Sequence, residues 1–307
     1  VVRSVVIVIS LSVAVLIYLN LLNAGLALFA GLATALVLRH SYSGFCRKVS
    51  AQLLKLSIVG LGFGLNLQGL WQTTQDTFLI TFISIAVAIA TGVVVFKLMK
   101  IHHQTGLLIT SGTAICGGSA IAAVSQAIKS HPDRTAMAVT VVFLLNIVAL
   151  YTFPYIGHWL DLTQYQFGIW AALAIHDTSS VVGAASQYGD ASLQIATATK
   201  LARTLWIIPV TLLASVWFNG HKSRLNLPVF IVFFVLASAA NSAIPSFAPV
   251  FQQISEIAKF FLIFALYLLG LGITPQVIKQ VDSKPLIMGA ILWLVLAVVS
   301  LALVIYL

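Results

Sequence analysis

Eleven apolar segments follow one another with only short connections between them, at about 2–19, 22–38, 52–70, 77–96, 105–128, 135–155, 167–188, 193–218, 229–244, 254–273 and 285–307. Most are close to the ~20 residues that a helix needs to cross ~30 Å of hydrocarbon. Inside lipid the backbone has no water to bond, so such segments close their own hydrogen bonds as helices. With 60% hydrophobic and 7% charged residues there is no material for an ordinary soluble domain. The expected fold is an all-α polytopic membrane protein. The first segment, about 5–19, lacks a small-residue cleavage site and is expected to be a membrane helix rather than a signal peptide.

The excess of basic over acidic residues, 16 against 7, does not require nucleic acid, because the Lys and Arg fall in short loops. Arg39, Arg47 and Lys48 share one connection, Lys97 and Lys100 another, Lys222 and Arg224 a third, Lys279 and Lys284 a fourth. The alternate connections at 20–23, 71–76, 157–166 and 245–253 contain none. Lys129 and Arg134 break this alternation if segment 105–128 crosses fully. A hairpin dipping in from the cytoplasm restores it, and 167–188 then dips in from the other side. The expectation is nine full transmembrane helices plus two interrupted segments, either re-entrant hairpins or broken crossing helices. Together they form a single transport domain over 1–307. Residues 1–50 are peripheral N-terminal helices, 51–155 a first half holding 105–128, and 156–307 a second half holding 167–188.

The two interrupted segments carry the chemistry. Ala174-Ile175-His176-Asp177-Thr178-Ser179-Ser180 places a titratable pair and three hydroxyls inside a run without Lys or Arg. A central Asp costs roughly 2.5–3.5 kcal/mol on insertion scales, so such groups face a cavity, a partner or a ligand. Upstream stands Thr113-Ala114-Ile115-Cys116-Gly117-Gly118-Ser119-Ala120, and a slide of 61 positions lays Ser119, Ala123, Ser125 and Gln126 on Ser180, Ala184, Ser186 and Gln187. Paired small-residue interruptions point to a transporter's binding site, since an interrupted helix frees N–H and C=O groups for a solute. Close helix packing also uses Gly, Ser and Ala, but it does not require His176 or Asp177. A second echo, Leu61-Gly62-Phe63-Gly64-Leu65-Asn66 against Leu269-Gly270-Leu271-Gly272-Ile273-Thr274, runs in opposite directions by the charge rule, as an inverted repeat requires. Asn66, Asn146 and Thr274 are polar groups inside spans that either line a pathway or bond a neighbouring helix.

Lys200 and Arg203 lie three apart on one helical face, roughly 12–16 Å into their span at 1.5 Å per residue. Asp177, inside an apolar segment, is the carboxylate expected to partner them, and one carboxylate against two cations leaves a positive surplus suited to an anion. The guanidinium adds a forked donor geometry that sulfate, sulfonate and carboxylate accept. A structural Asp177–Arg203 pair is the alternative. His176 is a candidate proton relay or a structural histidine, since imidazole titrates near pH 6.5 when unperturbed. The expected substrate-binding set is Thr113, Cys116, Gly117, Gly118, Ser119, Thr178, Ser179, Ser180, Lys200 and Arg203, with His176 and Asp177 coupling an ion. Cys46 and Cys116 make no disulfide framework, and His102-His103 lacks the further ligands of a metal site. No P-loop occurs, and neither a metal nor a cofactor is expected.

The order "GTAICGGSA", "AIHDTSSVVGAA", "ATKLARTLWIIP" and "LGLGITPQVIK…KPLIMG" resembles the YeiH-type sulfate exporter family of bacterial inner-membrane proteins. The resemblance covers about 52–307 and implies kinship with the cation/proton antiporter and anion transporter superfamily, where interrupted helices meet at the membrane centre. It does not imply one substrate. That family carries a Glu where this chain has Asp177. The functional expectation is a secondary active transporter, not an enzyme, for sulfate, sulfite or an organosulfonate, with proton as coupling ion. An anion channel, a sodium-coupled carboxylate carrier and an intramembrane enzyme remain alternatives. The expected partners are the anion, a proton or sodium, and the lipid bilayer of the bacterial inner membrane. The oligomeric state stays open, a homodimer included.

Overall fold

The computed structural model describes residues 2–19, 21–22, 24–38, 43–219, 229–272 and 282–306, and its regular elements are all helical. In chain order they are α1 (Val2–Tyr18), α2 (Ala24–Leu38), α3 (Ser43–Gly62), α4 (Leu67–Leu98), α5 (His103–Ala114), α6 (Gly118–Ala127) and α7 (Pro132–Trp159). Then come α8 (Gln164–Ala174), α9 (Thr178–Tyr188), α10 (Asp190–Thr204), α11 (Ile207–Asn219), α12 (Val229–Ala243), α13 (Ala248–Leu271) and α14 (Ser283–Ile305). Four stretches, Leu67–Leu98, Asp133–Trp159, Pro245–Leu271 and Ser283–Ile305, are long and apolar enough to cross a membrane. Val5–Tyr18, Leu26–Leu38 and Val229–Ala243 are shorter apolar helices. The chain is an all-α membrane protein. Arg39, Lys222, Arg224, Lys279 and Thr274, with the rest of the second echo beyond Gly272, lie outside the described residues.

The chain forms two compact units interleaved along its length. The first holds Val1–Gln72 and Pro228–Val277. Its centre is α13, against which α2 and α3 pack closely. Contact between α2 and α13 is near the backbone limit. A Cβ on Gly31 would stand 2.1 Å from the Tyr267 carbonyl oxygen, and one on Gly270 2.3 Å from that of Leu28. The echoed Gly270 thus serves helix packing. Asn66 caps α4, its Oδ1 accepting from Gly69 N at 2.5 Å.

The second unit holds Thr73–Leu227 and Ile278–Leu307 and contains both interrupted segments. One further interruption, at Leu205 and Trp206, divides the expected span 193–218 into α10 and α11. Its cause is Pro209, which has no N–H to give the Leu205 carbonyl and so disfavours a continuous helix. The chain passes the break with short-range bonds, Trp206 N to Arg203 O at 3.0 Å and Ile208 N to Leu205 O at 3.1 Å. A groove of about 290 Å³ opens there between Thr74, Thr77 and Thr81 of α4 and Trp206.

Candidate functional site: two broken helices meeting at Asn146

Each interrupted segment folds back on itself. In the first, α5 stops at Ala114, residues 115–117 turn, and α6 starts at Gly118. Gly117 makes the turn possible with φ +65°, a region costly for residues with a Cβ. Its N–H bonds Gly112 O at 2.8 Å, and a Cβ on Gly112 would stand 2.8 Å from Ile121 Cδ1. A straight helix would put those two residues about 13 Å apart at 1.5 Å per residue. The base of the hairpin closes where Arg134 Nη1, in the first turn of α7, donates to Gln104 Oε1 at 2.5 Å.

The second segment repeats the plan. Thr163 and Gln166 form a capping box that starts α8, residues 175–177 turn, and Asp177 caps α9 by accepting from Ser179 N at 3.1 Å. The base closes where Tyr188 donates to Leu162 O at 2.6 Å and stacks on Phe167 at 3.8 Å. His158, in the last turn of α7, stacks on the same Tyr188 at 4.2 Å. The two bases therefore lie at opposite ends of the 28-residue α7, roughly 36 Å apart by helix rise between Arg134 and His158.

The tips meet between them. A Cβ on Gly117 would stand 3.3 Å from Cα, Cβ and N of Asp177. His176 Nε2 and Thr113 Oγ1 are 3.1 Å apart across the junction. Asp177 N donates to Asn146 Oδ1 at 3.2 Å, near the middle of α7. Asn146, a weak candidate in sequence, thus bonds the second tip directly.

Lys200 and Arg203 are fully buried, at 0% exposure each, and both donate to backbone carbonyls. Lys200 Nζ donates to Ala172 O at 3.1 Å and Ile175 O at 2.7 Å. Arg203 Nε and Nη2 donate to Ala114 O at 2.9 and 2.6 Å, and Nη2 also reaches Thr113 O at 3.5 Å. Arg203 Nη1 donates to Leu173 O, and to Ala172 O at 3.3 Å. The physical reason is that each broken helix leaves unpaired carbonyls at its C-terminal end, and these donors satisfy them. Asp177 is likewise turned to its own helix, accepting from Ser179 Oγ as well as Ser179 N. Arg203 joins the ends of both hairpins, a role invisible in sequence because backbone carbonyls carry no residue signature.

Four helix ends converge here. The C-terminal ends of α5 and α8 meet the donors of Arg203 and Lys200, and the N-terminal end of α9 meets the Asp177 carboxylate. The N-terminal end of α6 has neither a side-chain cap nor an acidic residue in its first turn. Gly118 there has open space where a Cβ would project, and Ser119 is exposed. Asp177 and Thr178 are half-buried; Thr113, Cys116, His176, Ser179 and Ser180 are buried. Among the described residues no cluster of three or more His, Cys, Asp or Glu could hold a metal.

The family described as conserved hypothetical protein 698 matches residues 2–289, which takes in both hairpins and all of α10. The chain belongs to this family. The YeiH-type family indicated by the motifs is the same one. Among relatives of the conserved hypothetical protein 698 type, a UPF0324 membrane protein of Shewanella oneidensis is 48% identical over 258 residues, covering 84% of this chain and 82% of the relative. One from Bacteroides thetaiotaomicron is 42% identical over 278 residues, 90% of this chain and 84% of the relative. One from Geobacter sulfurreducens is 42% identical over 275 residues, 90% and 88% respectively. No solved structure matches the chain.

Proposed function

We propose that this membrane protein is a secondary transporter that moves a small anion unchanged, with sulfate, sulfite and organosulfonates as its substrate class and a proton as the coupled ion. The observation that carries the reading is the unmatched N-terminal end of α6 beside three matched helix ends. A helix N-terminus offers N–H groups and roughly half a positive charge, and an anion at Gly118 and Ser119 would complete the set. The hydroxyls of Ser119 and Thr178 border that position. Lys200 and Arg203 hold the broken ends from behind. Asp177 accepts the proton, with His176 as relay, because an anion seated at α6 raises the cost of a second negative charge in contact with Gly117.

In this reading the hairpins re-enter from opposite faces of a bacterial inner membrane, and their tips lie at its middle. The helices α1, α2, α3, α4, α7, α12, α13 and α14 cross fully, with α10–α11 as a ninth crossing. Inverted repetition of the two halves is part of the same reading.

The test is thermal unfolding of the purified protein with sulfate, sulfite, taurine, sulfoacetate, acetate or chloride at equal ionic strength. Ligand at a hundred times its Kd adds about 2.7 kcal/mol to stability. The expected result is a concentration-dependent rise for a sulfur oxyanion or sulfonate and none for chloride. Equal responses to every anion would contradict the reading.

A further inference from the structure

Broken membrane helices commonly use their freed C-terminal carbonyls to coordinate a metal cation such as sodium. Here the oxygens of Thr113, Ala114, Ala172, Leu173 and Ile175 already accept from Arg203 and Lys200. Lys200 Nζ is the compact donor of the two, on a single flexible stem, and it lies between two carbonyls of one hairpin at 2.7 and 3.1 Å. Arg203 spreads its donors over both hairpins. Both side chains are shut off from solvent.

We infer that Lys200 is a tethered occupant of a cation site, filling the carbonyl-lined position that sodium would take and making the protein independent of sodium. The inference rests on reading the junction as a transport site, and it deepens that reading by assigning the coupling chemistry. Removing the side chain beyond Cβ leaves the Ile175 oxygen without its Lys200 partner and the Ala172 oxygen with Arg203 Nη1 alone. A small cation or an alkylammonium can restore their partners there, whereas an apolar side chain of similar length cannot.

The experiment compares thermal unfolding of the wild type, Lys200→Ala and Lys200→Met in choline chloride, sodium chloride and methylammonium chloride at constant ionic strength. The wild type is expected to show no saturable response to sodium over choline. Lys200→Ala is expected to unfold at lower temperature and to regain at least half of the loss with methylammonium or sodium, saturably. Lys200→Met is expected to regain none. Saturable stabilisation of the wild type by sodium overturns the proposal, and so does a Lys200→Ala variant that no cation restores. Lys200→Ser carries the same arms if the alanine variant cannot be purified. Chloride is common to every arm and only the cation changes, so failure of the anion assay leaves this result standing, and failure here leaves the α6 site untouched.

Discussion

At the scale of single residues, Gly117, Ser119 and Arg203 separate the roles at the junction. Gly117 holds φ +65°, and a Cβ added to it would stand 3.3 Å from Asp177. Gly117→Ala should therefore cost about 1–3 kcal/mol in backbone strain alone and push the tips apart. Gly118→Ala has open space and should leave unfolding temperature nearly unchanged, a contrast one melting series checks. Ser119→Asp places a carboxylate where the anion is proposed to sit. It should raise stability by roughly 0.3–1 kcal/mol through the helix dipole while abolishing the shift with added anion; an unchanged anion response removes Ser119 from the site. Arg203→Gln strands buried carbonyls on both hairpins, and each lost charge-assisted bond is worth about 1.5–3 kcal/mol. Arg203→Lys keeps the charge but cannot reach both hairpins, so its melting temperature should fall between those of wild type and Arg203→Gln. These three roles differ in how readable they are. Gly117 and Ser119 stand out as polar or small interruptions in an apolar run. Arg203 stands out as a deep cation, but its partners are backbone oxygens and only coordinates reveal them.

At the scale of elements, the two hairpins and α7 form the site, and their bases report on it. His102 caps α5 by accepting from Gln104 N at 3.2 Å through Nδ1. Burial, then the Arg134 guanidinium and His103, hold its pKa below the usual value for histidine. The neutral form is thus favoured in the folded protein. The contribution is fully present above about pH 6.5 and is lost as pH falls from there toward the lowered folded value. Amide exchange at Gln104 should accelerate over that window, and His102→Asn should flatten the profile. Helix existence and both interruptions were legible as apolar runs broken by Gly-Gly and by His-Asp. The α10–α11 break was not, because Trp206, Ile207 and Ile208 read as continuous apolar helix and only Pro209 marks it. The two internal echoes have different offsets, 61 residues for the hairpins and 208 for the glycine pairs, so a single linear duplication does not generate both. That the hairpins close at opposite ends of α7 follows from Arg134 and His158, side chains with no pattern to announce them.

At the scale of the whole molecule, the membrane class is written in composition, whereas the division into two units is not. Residues 1–72 and 228–277 come together through helix faces far apart in sequence, and small residues such as Gly31 and Gly270 announce close packing without naming the partner. The account as a whole stands on an anion and a proton sharing the junction at Asn146. Its most direct measurement is flux of labelled sulfate or sulfite into proteoliposomes with a pH gradient imposed and no sodium, for the wild type and Asp177→Asn. The account predicts saturable, counterflow-competent uptake by the wild type that is accelerated when the trans side is alkaline, and uptake by Asp177→Asn that no longer responds to the gradient. Wild-type flux indifferent to the gradient, or an Asp177→Asn variant that follows it as the wild type does, would contradict it.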